Sequence, residues 1–162
     1  MKLIEVDSSL VEKTAPLTAD FRVTLMSYKG VEIKPDIESA KEELNEFLKV
    51  GYPVYAVEDN GEFVGYTVLR IENCCLWVEH IFVNEKARRK GVASMLFEKA
   101  EEVSRSMGGD TTFNFVHPNN QGMINFLRSK GYTVLNLIEI RKPFEGETLT
   151  TTVKVDNNTF DY

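Results

Sequence analysis

The fold of this chain is decided by the stretch Arg88-Arg89-Lys90-Gly91-Val92-Ala93-Ser94. It follows an apolar run at 77–83 with the composition of a strand, and it opens an amphipathic run at 92–107 with helical spacing. A helix that starts here presents unpaired backbone N–H groups and the positive end of its dipole. Three cations and a glycine, which allows close approach to the backbone, strengthen the effect. The stretch therefore predicts a site for a phosphate-bearing ligand.

Composition limits the classes of function that remain open. The length of 162 residues predicts a single domain, and the formal net charge of −6 argues against a nucleic-acid partner. No apolar run is long enough to cross a membrane and no secretory signal pattern occurs, so we expect a cytoplasmic protein with no membrane partner. The only cysteines, Cys74 and Cys75, are neighbours, which disfavours a disulfide, and we expect both to be buried. Together with two histidines at no ligand spacing, they predict no metal site.

Hydrophobic spacing predicts the order of helices and strands. Further helices are expected at 11–28, interrupted near Pro16, and at 37–50 and 121–130. Strands are expected at 2–6, 54–58, 63–71, 75–83, 111–116 and 132–141, with a tail hairpin about 156–158. Three consecutive strands predict an antiparallel meander, and the strand–helix–strand unit about 92–107 predicts a parallel pair with a right-handed crossover. The predicted class is α/β, with a mixed, mostly antiparallel sheet flanked by helices.

Two motifs in this order resemble a known family. Arg88, Gly91 and Ala93 match the spacing Arg/Gln-x-x-Gly-x-Gly/Ala, and the run 120–132 is an Asn, an apolar helix, a Gly and a Tyr. With these motifs, residues 52–141 resemble the GNAT superfamily of N-acetyltransferases. The resemblance implies a core at 52–142, a tail at 143–162 and a variable helical region at 1–51. That region, with Asp20, Arg22 and Tyr28, would wall the acceptor pocket.

The resemblance implies acetyl-CoA as co-substrate. Its pyrophosphate is expected on the backbone amides of the turn, and its pantetheine arm along the main chain of Phe82 and Val83, like an added strand. Asn120 would contact the arm, and Phe126 is either a core residue or packs against the cofactor. The expected cofactor-binding residues are Ile81, Phe82, Val83, Arg88, Arg89, Lys90, Gly91, Val92, Ala93, Ser94, Asn120 and Phe126.

Acetyl transfer to an amine needs a proton acceptor, because a free alkyl amine has a pKa of about 10. Glu79 is the expected general base. Strand alternation predicts Glu79 on one face with Trp77 and Ile81, and the resemblance implies a base here, commonly acting through water. The alternative is an ion-paired strand carboxylate. His80, predicted on the opposite face with Phe82, is the rival base, although a core role is expected for it.

The other catalytic groups are less defined. The resemblance implies that backbone N–H groups near Val83 bind the developing oxyanion. It also implies a Tyr as proton donor in the last helix, but Leu127 stands at that position. Tyr132, Tyr66 or water remain as alternatives. For His117 a loop or capping role is expected.

The sequence therefore predicts an N-acetyltransferase that moves an acetyl group from acetyl-CoA to a primary amine of a small molecule or a protein by direct attack. The alternative is a non-catalytic acyl-CoA-binding or sensing module. Leu127 favours the module, whereas Glu79 and the intact basic turn favour the enzyme. The acceptor stays unnamed, and pairing of tail strands across a two-fold would give a homodimer.

Overall fold

A computed structural model describes residues 1–162. Its helices and strands are β1 (Lys2–Glu5), α1 (Val11–Tyr28), α2 (Ile37–Val50), β2 (Val54–Asp59), β3 (Glu62–Glu72), β4 (Cys75–Val83), α3 (Val92–Ser106), β5 (Phe113–Asn114), α4 (Gln121–Ser129), β6 (Thr152–Val155) and β7 (Asn158–Asp161). The chain divides into two units, Met1–Phe126 and Leu127–Tyr162. None of the helices combines the length and the apolar character needed to cross a membrane.

The first unit is built on one five-stranded sheet in the order β1-β2-β3-β4-β5. The first four strands pair antiparallel and β5 pairs parallel with β4, which confirms the predicted mixed sheet. On one face, α1 and α2 bury a core that includes Ala15, Leu44 and Tyr66. Gly65, the neighbour of Tyr66, faces Val92 of α3, so α3 covers the opposite face.

Local sequence signals determine most element ends. Asp36 caps α2 by accepting a hydrogen bond from the Ser39 amide at 3.0 Å, and Gly51 ends the helix in a left-handed conformation at φ 88°. Asn60 and Gly61, at φ 52° and 86°, form the tight turn between β2 and β3. These elements are confirmed as predicted.

The expected interruption of the first helix is wrong. α1 runs without a break from Val11 to Tyr28 and contains Pro16. Pro16 is exposed, whereas its neighbours Ala15 and Leu17 are buried against the sheet. A proline inside a helix costs about 3 kcal/mol, and the burial of the apolar side chains around it offsets this cost.

The strand predicted at 111–116 is shorter than expected. Only Phe113 and Asn114 pair with β4, opposite Trp77 and Val78. Beyond this point β4 continues to Val83 without a partner on that side, because the chain after Asn114 turns away from it. The two strands therefore open into a splay.

The strand predicted at 132–141 is wrong. These residues form no strand, and large apolar side chains remain exposed, among them Val134 at 87% and Ile140 at 68%. β-propensity produces a strand only where a neighbouring strand accepts the main-chain hydrogen bonds. By contrast, β6 and β7 form the predicted tail hairpin, with Asp156 in its turn at φ 53°.

The cysteine prediction is half right. Cys74 and Cys75 are free thiols, as expected, but both are exposed and not buried. Cys74 lies in the turn between β3 and β4 at φ 63°, and Cys75 begins β4 at the end of the sheet. The turn, which the sequence placed one residue earlier, exposes both side chains.

Candidate functional site

The turn between β4 and α3 presents a row of free backbone N–H groups. The Arg88 amide bonds the Glu85 carbonyl at 3.2 Å, and the next bonded amide is that of Met95, which bonds the Gly91 carbonyl at 3.0 Å. The amides of Arg89 to Ser94 have no acceptor within the protein, and no side chain caps α3. Arg89 and Gly91 adopt φ values of 62° and 85°, left-handed conformations of the kind found in concave nests of amides that bind anions.

Close packing positions this turn against the sheet. A Cβ atom on Gly65 would lie 2.8 Å from Val92 Cγ1 and 2.9 Å from the Phe82 carbonyl oxygen. Only glycine therefore lets the first turn of α3 approach the end of β4 this closely. The start of α3 therefore lies directly beside the end of β4.

The three cations of the turn have different roles. Arg88 Nε donates to the Val83 carbonyl at 3.1 Å, so this side chain ties the turn to the end of β4. Arg89 and Lys90 are exposed and make no ion pair within the protein. Of the predicted phosphate ligands, Arg89 and Lys90 are therefore the ones left available as free charges.

The hydrogen-bond register determines which main-chain groups face the splay. The Asn84 amide bonds the Val64 carbonyl at 2.9 Å, and Phe82 pairs with Tyr66. Because hydrogen-bonded pairs alternate in an antiparallel ladder, the main-chain groups of Phe82 point toward β3. Those of Ile81 and Val83 point toward the open side. The main-chain groups of Phe82, expected to contact the cofactor arm, are therefore directed at β3, and those of Ile81 and Val83 are the ones that face the splay.

A β-bulge changes the predicted faces of β4. His80 pairs with Val68, whereas Val78 pairs with the next residue, Leu69, so Glu79 is an extra residue in the strand. Strict alternation is therefore broken at Glu79. The prediction that His80 shares a face with Val78 is wrong: His80 lies on the α1 and α2 face, and Val78 lies on the opposite face with Leu69.

Glu79 is held at the splay by an arginine. Arg70 Nε donates to Glu79 Oε2 at 2.9 Å, and Arg70 Nη1 donates to Glu72 Oε2 at 2.8 Å. The Arg70 guanidinium lies 5.2 Å from the centre of the Trp77 ring, and Trp77 stacks on Phe115 at 4.7 Å. Glu79 Oε1 has no donor within the protein, so one carboxylate oxygen remains available for a ligand or a water molecule.

His80 is a buried structural residue. Its Nδ1 lies 3.0 Å from the Tyr66 hydroxyl, and its Nε2 lies 3.2 Å from Arg22 Nη2, which also ion-pairs with Glu43. Burial, and then the nearby Arg22 guanidinium, lower the pKa of His80 to about 3. Burial also raises the pKa of the Tyr66 hydroxyl. His80 is therefore neutral near pH 7 and packed into the core, as expected for a residue that is not the base.

A narrow crevice of about 40 Å³ lies at the splay. Its lining combines six apolar and four polar residues, which are Phe21, Leu25, Val78, Glu79, Ile81, Asn114, Phe115, His117, Asn120 and Met123. Within it, the Asn114 Oδ1 atom is buried and has no hydrogen-bond donor. A buried acceptor without a donor is costly, and a ligand N–H group would satisfy it.

Sequence reasoning missed several lining residues. Phe21 and Leu25 stand four residues apart on α1 and so share a helix face, a spacing that could have identified them. The expected wall residues have other contacts: Arg22 bonds His80, and Tyr28 stacks on His117 at 5.6 Å. Phe115 follows the short β5, and no pattern in the sequence marked it.

The last helix contributes capping and packing. Asn120 Oδ1 accepts from the Met123 amide at 3.0 Å and so caps α4. Phe126 packs edge-on against Phe97 at 5.5 Å, and Leu127 is buried. His117 Nδ1 accepts from the Asn119 amide at 3.2 Å, the loop role expected for it.

Comparison with known proteins identifies the architecture. A model described as the acetyltransferase (GNAT) family matches residues 20–132. The aminoglycoside antibiotic 6'-N-acetyltransferase AAC(6')-IG from Acinetobacter haemolyticus is 17% identical, with a TM-score of 0.66 over 89% of this chain and 99% of that chain. AAC(6')-Iy, solved in complex with a CoA-containing bisubstrate analogue, is also 17% identical, with a TM-score of 0.68 over 88% and 98%.

A third similar structure is the ribosomal-protein-alanine N-acetyltransferase from Brucella melitensis biovar Abortus 2308. It is 15% identical, with a TM-score of 0.68 over 89% of this chain and 100% of that chain. At these identities the structural matches establish a shared fold and leave the acceptor open.

Proposed function

This chain belongs to the acetyltransferase (GNAT) family, and on that premise we propose that it transfers an acetyl group from acetyl-CoA to a primary amine by direct attack. The observation that carries the proposal is the nest of free amides from Arg89 to Ser94 beside the splayed edge of β4. An anion site next to an open strand edge suits a ligand with a diphosphate and an amide-containing arm.

The residues present fit coenzyme A. Amides of the nest would hold the pyrophosphate, with Arg89 and Lys90 adding charge attraction. Main-chain groups of Ile81 and Val83 would pair with the amides of the pantetheine arm, and the buried Asn114 Oδ1 would gain a donor. Bound acetyl-CoA supplies an acetyl thioester, whose thiol is the leaving group when the amine is acetylated.

We propose Glu79 as the general base. Glu79 lines the crevice, its Oε1 is free of protein donors, and Arg70 holds Oε2 and so orients the carboxylate. Glu79 would accept the ammonium proton directly or through a water molecule. A free backbone N–H near Val83, at the end of β4, is suited to stabilise the developing oxyanion, as the family resemblance implies.

A thiol-release assay with acetyl-CoA and a panel of primary amines tests this function. We expect Glu79→Gln to lower kcat by about 10²-fold, within the usual contribution of a general base. Glu72→Gln is the matched control, because Glu72 contacts the same Arg70 at 2.8 Å and is half exposed. Equal effects of both substitutions would remove Glu79 from the base role.

The alternative, a non-catalytic acyl-CoA-binding or sensing module, is favoured by one observation. Leu127 stands where the family's proton donor is usually found, and its side chain is buried. Because a thiol has a pKa of about 8.5, the thiolate can leave without receiving a proton, so the enzyme does not require a proton donor at this position. Tight binding of CoA by calorimetry, with no release of thiol in the presence of any amine, would establish the module.

We further propose a cytoplasmic homodimer. Two free, exposed thiols suit a reducing compartment. The exposed side chains Val134, Leu135, Leu137, Ile138 and Ile140 form an apolar segment of the kind found at subunit interfaces.

A further inference from the structure

We infer that the acceptor is a primary amine with a single positive charge on an apolar or aromatic body. This inference rests on the proposed function and identifies its substrate class. It is drawn from the lining of the crevice, the balance of charge around Glu79 and the aromatic stack at its rim.

The first observation is the chemistry of the crevice walls. Side chains of Phe21, Leu25 and Met123 line it together with Val78 and Phe115. Glu79 is the one carboxylate among the lining residues. Asn114, His117 and Asn120 add polar groups without a negative charge. A small crevice with six apolar residues and a single anion suits an ammonium group joined to a hydrocarbon, since both ends of such a ligand find a partner.

The second observation is the charge around Glu79. Arg70 ion-pairs with Glu79 at 2.9 Å and with Glu72 at 2.8 Å, so these three side chains together carry one net negative charge. Glu43, which lies beside His80, is neutralised by its ion pair with Arg22. One ammonium group balances this cluster. A polycationic acceptor would bring further ammonium groups into a crevice whose lining holds no second carboxylate, which is unfavourable.

The third observation is the stack of aromatic rings at the rim. Phe113 and Phe115 contact Trp77 with ring centres 4.8 and 4.7 Å away. Phe115 is 54% exposed although it is large and apolar. Its free surface, next to Glu79 at the crevice, is available for an aromatic or apolar group of the acceptor. Such a group can belong to a free arylalkylamine or to the first residue of a polypeptide.

The test compares kcat/KM for 2-phenylethylamine, propylamine, spermidine and the aminoglycoside kanamycin. We expect 2-phenylethylamine to exceed spermidine and kanamycin by at least about tenfold, since one well-placed apolar group changes specificity by roughly 10–200-fold. A short peptide beginning with Phe distinguishes the two sources of this chemistry. A higher kcat/KM for the peptide than for the free amine assigns the acceptor to a polypeptide N-terminus, and the reverse order assigns it to a small molecule.

Two variants connect the preference to the named residues. Phe115→Ala should lower kcat/KM for 2-phenylethylamine about tenfold more than kcat/KM for propylamine. Phe144→Ala is the matched control, because Phe144 is also an exposed ring beside an arginine, 4.3 Å from Arg141. Arg70→Met should raise the ratio of kcat/KM for spermidine to that for 2-phenylethylamine, because it leaves two unbalanced carboxylates.

The outcomes separate this inference from the proposed function. Faster acetylation of spermidine or kanamycin than of 2-phenylethylamine would overturn the inference and leave the transferase standing. Equal losses for both monoamines in Phe115→Ala would also overturn it. If no thiol is released from acetyl-CoA with any of the amines, the proposed function fails and the inference fails with it.

Discussion

Acidification should destabilise this protein through His80. The imidazole is buried and faces Arg22 of α1, Glu43 of α2 and Tyr66 of β3. Burial, and then Arg22, lower its pKa to about 3, against about 6.5 in an unfolded chain. Between these values the unfolded chain binds a proton that the folded protein does not. The contribution of His80 to stability is therefore complete above about pH 6.5 and is lost as the pH falls toward 3.

The size of the effect follows from the same two pKa values. A pH of 5.0 lies about 1.5 units below the pKa of the imidazole in the unfolded chain. The free energy of unfolding should therefore be about 2 kcal/mol lower at pH 5.0 than at pH 7.5. Near pH 3, where half of the folded molecules have also gained the proton, the loss would reach about 4 kcal/mol. Glu43 Oε1, 3.6 Å from His80 Nε2, favours the protonated ring and moderates this limit.

Urea unfolding at pH 7.5 and 5.0 measures the loss. Because many carboxylates titrate as well, wild type is compared with His80→Gln, which keeps polar atoms at this position and has no charge to gain. The pH-dependent loss should be smaller in His80→Gln by about 2 kcal/mol. His117 is the only other histidine in the chain, so His117→Gln is the matched control. It should keep most of the pH-dependent loss of stability seen in wild type.

Two results would refute the reasoning. One is an equal pH dependence of stability in wild type and His80→Gln. The other is an NMR titration of the folded protein in which the His80 ring gains its proton near pH 6.5. Either would mean that the ring is hydrated and not enclosed as the structure describes.

Three further predictions follow from packing, charge and exposure. Gly65→Ala should lower the free energy of unfolding in urea by about 1–3 kcal/mol and weaken CoA binding, because the added Cβ meets Val92 and the Phe82 carbonyl. Gly122→Ala is the control and should be tolerated, because the nearest atom to its added Cβ is 3.8 Å away. Arg89→Gly keeps the left-handed turn and removes its charge, so the Kd for CoA measured by calorimetry should rise about tenfold, and Lys86→Ala should leave it unchanged. Ile140→Lys should shift the proposed homodimer toward monomer in analytical ultracentrifugation, and an unchanged mass would remove this segment from the interface.

Much of the fold was predictable because its signals are local. Asp36 and Gly51 delimit α2, and Asn60 with Gly61 forms a hairpin turn, through the conformations that these residues prefer at caps and turns. The glycine turn after β4 was predictable for the same reason. The segment 132–141 was not, because strand formation depends on a partner strand that hydrophobic alternation does not supply.

The candidate site was only partly predictable. Glu79 was identified as the base candidate, but the bulge that alters the faces of β4 has no signature in the sequence, since it depends on register with β3. Phe21 and Phe115 come from distant segments, and only folding brings them to one crevice. The hydrogen bond from Arg88 to the Val83 carbonyl likewise forms only because the turn folds back onto the end of β4.

The sequence by itself determined the family, the strand–turn–helix unit and the free amides of Arg89 to Ser94, because helix starts and glycine turns are properties of neighbouring residues. Tertiary structure alone decided which charges remain available. It paired Glu79 with Arg70, enclosed His80 against Arg22 and left Arg89 exposed. The reason is physical: the state of a charge depends on the solvent and partners around it, and residues far apart in the chain supply both.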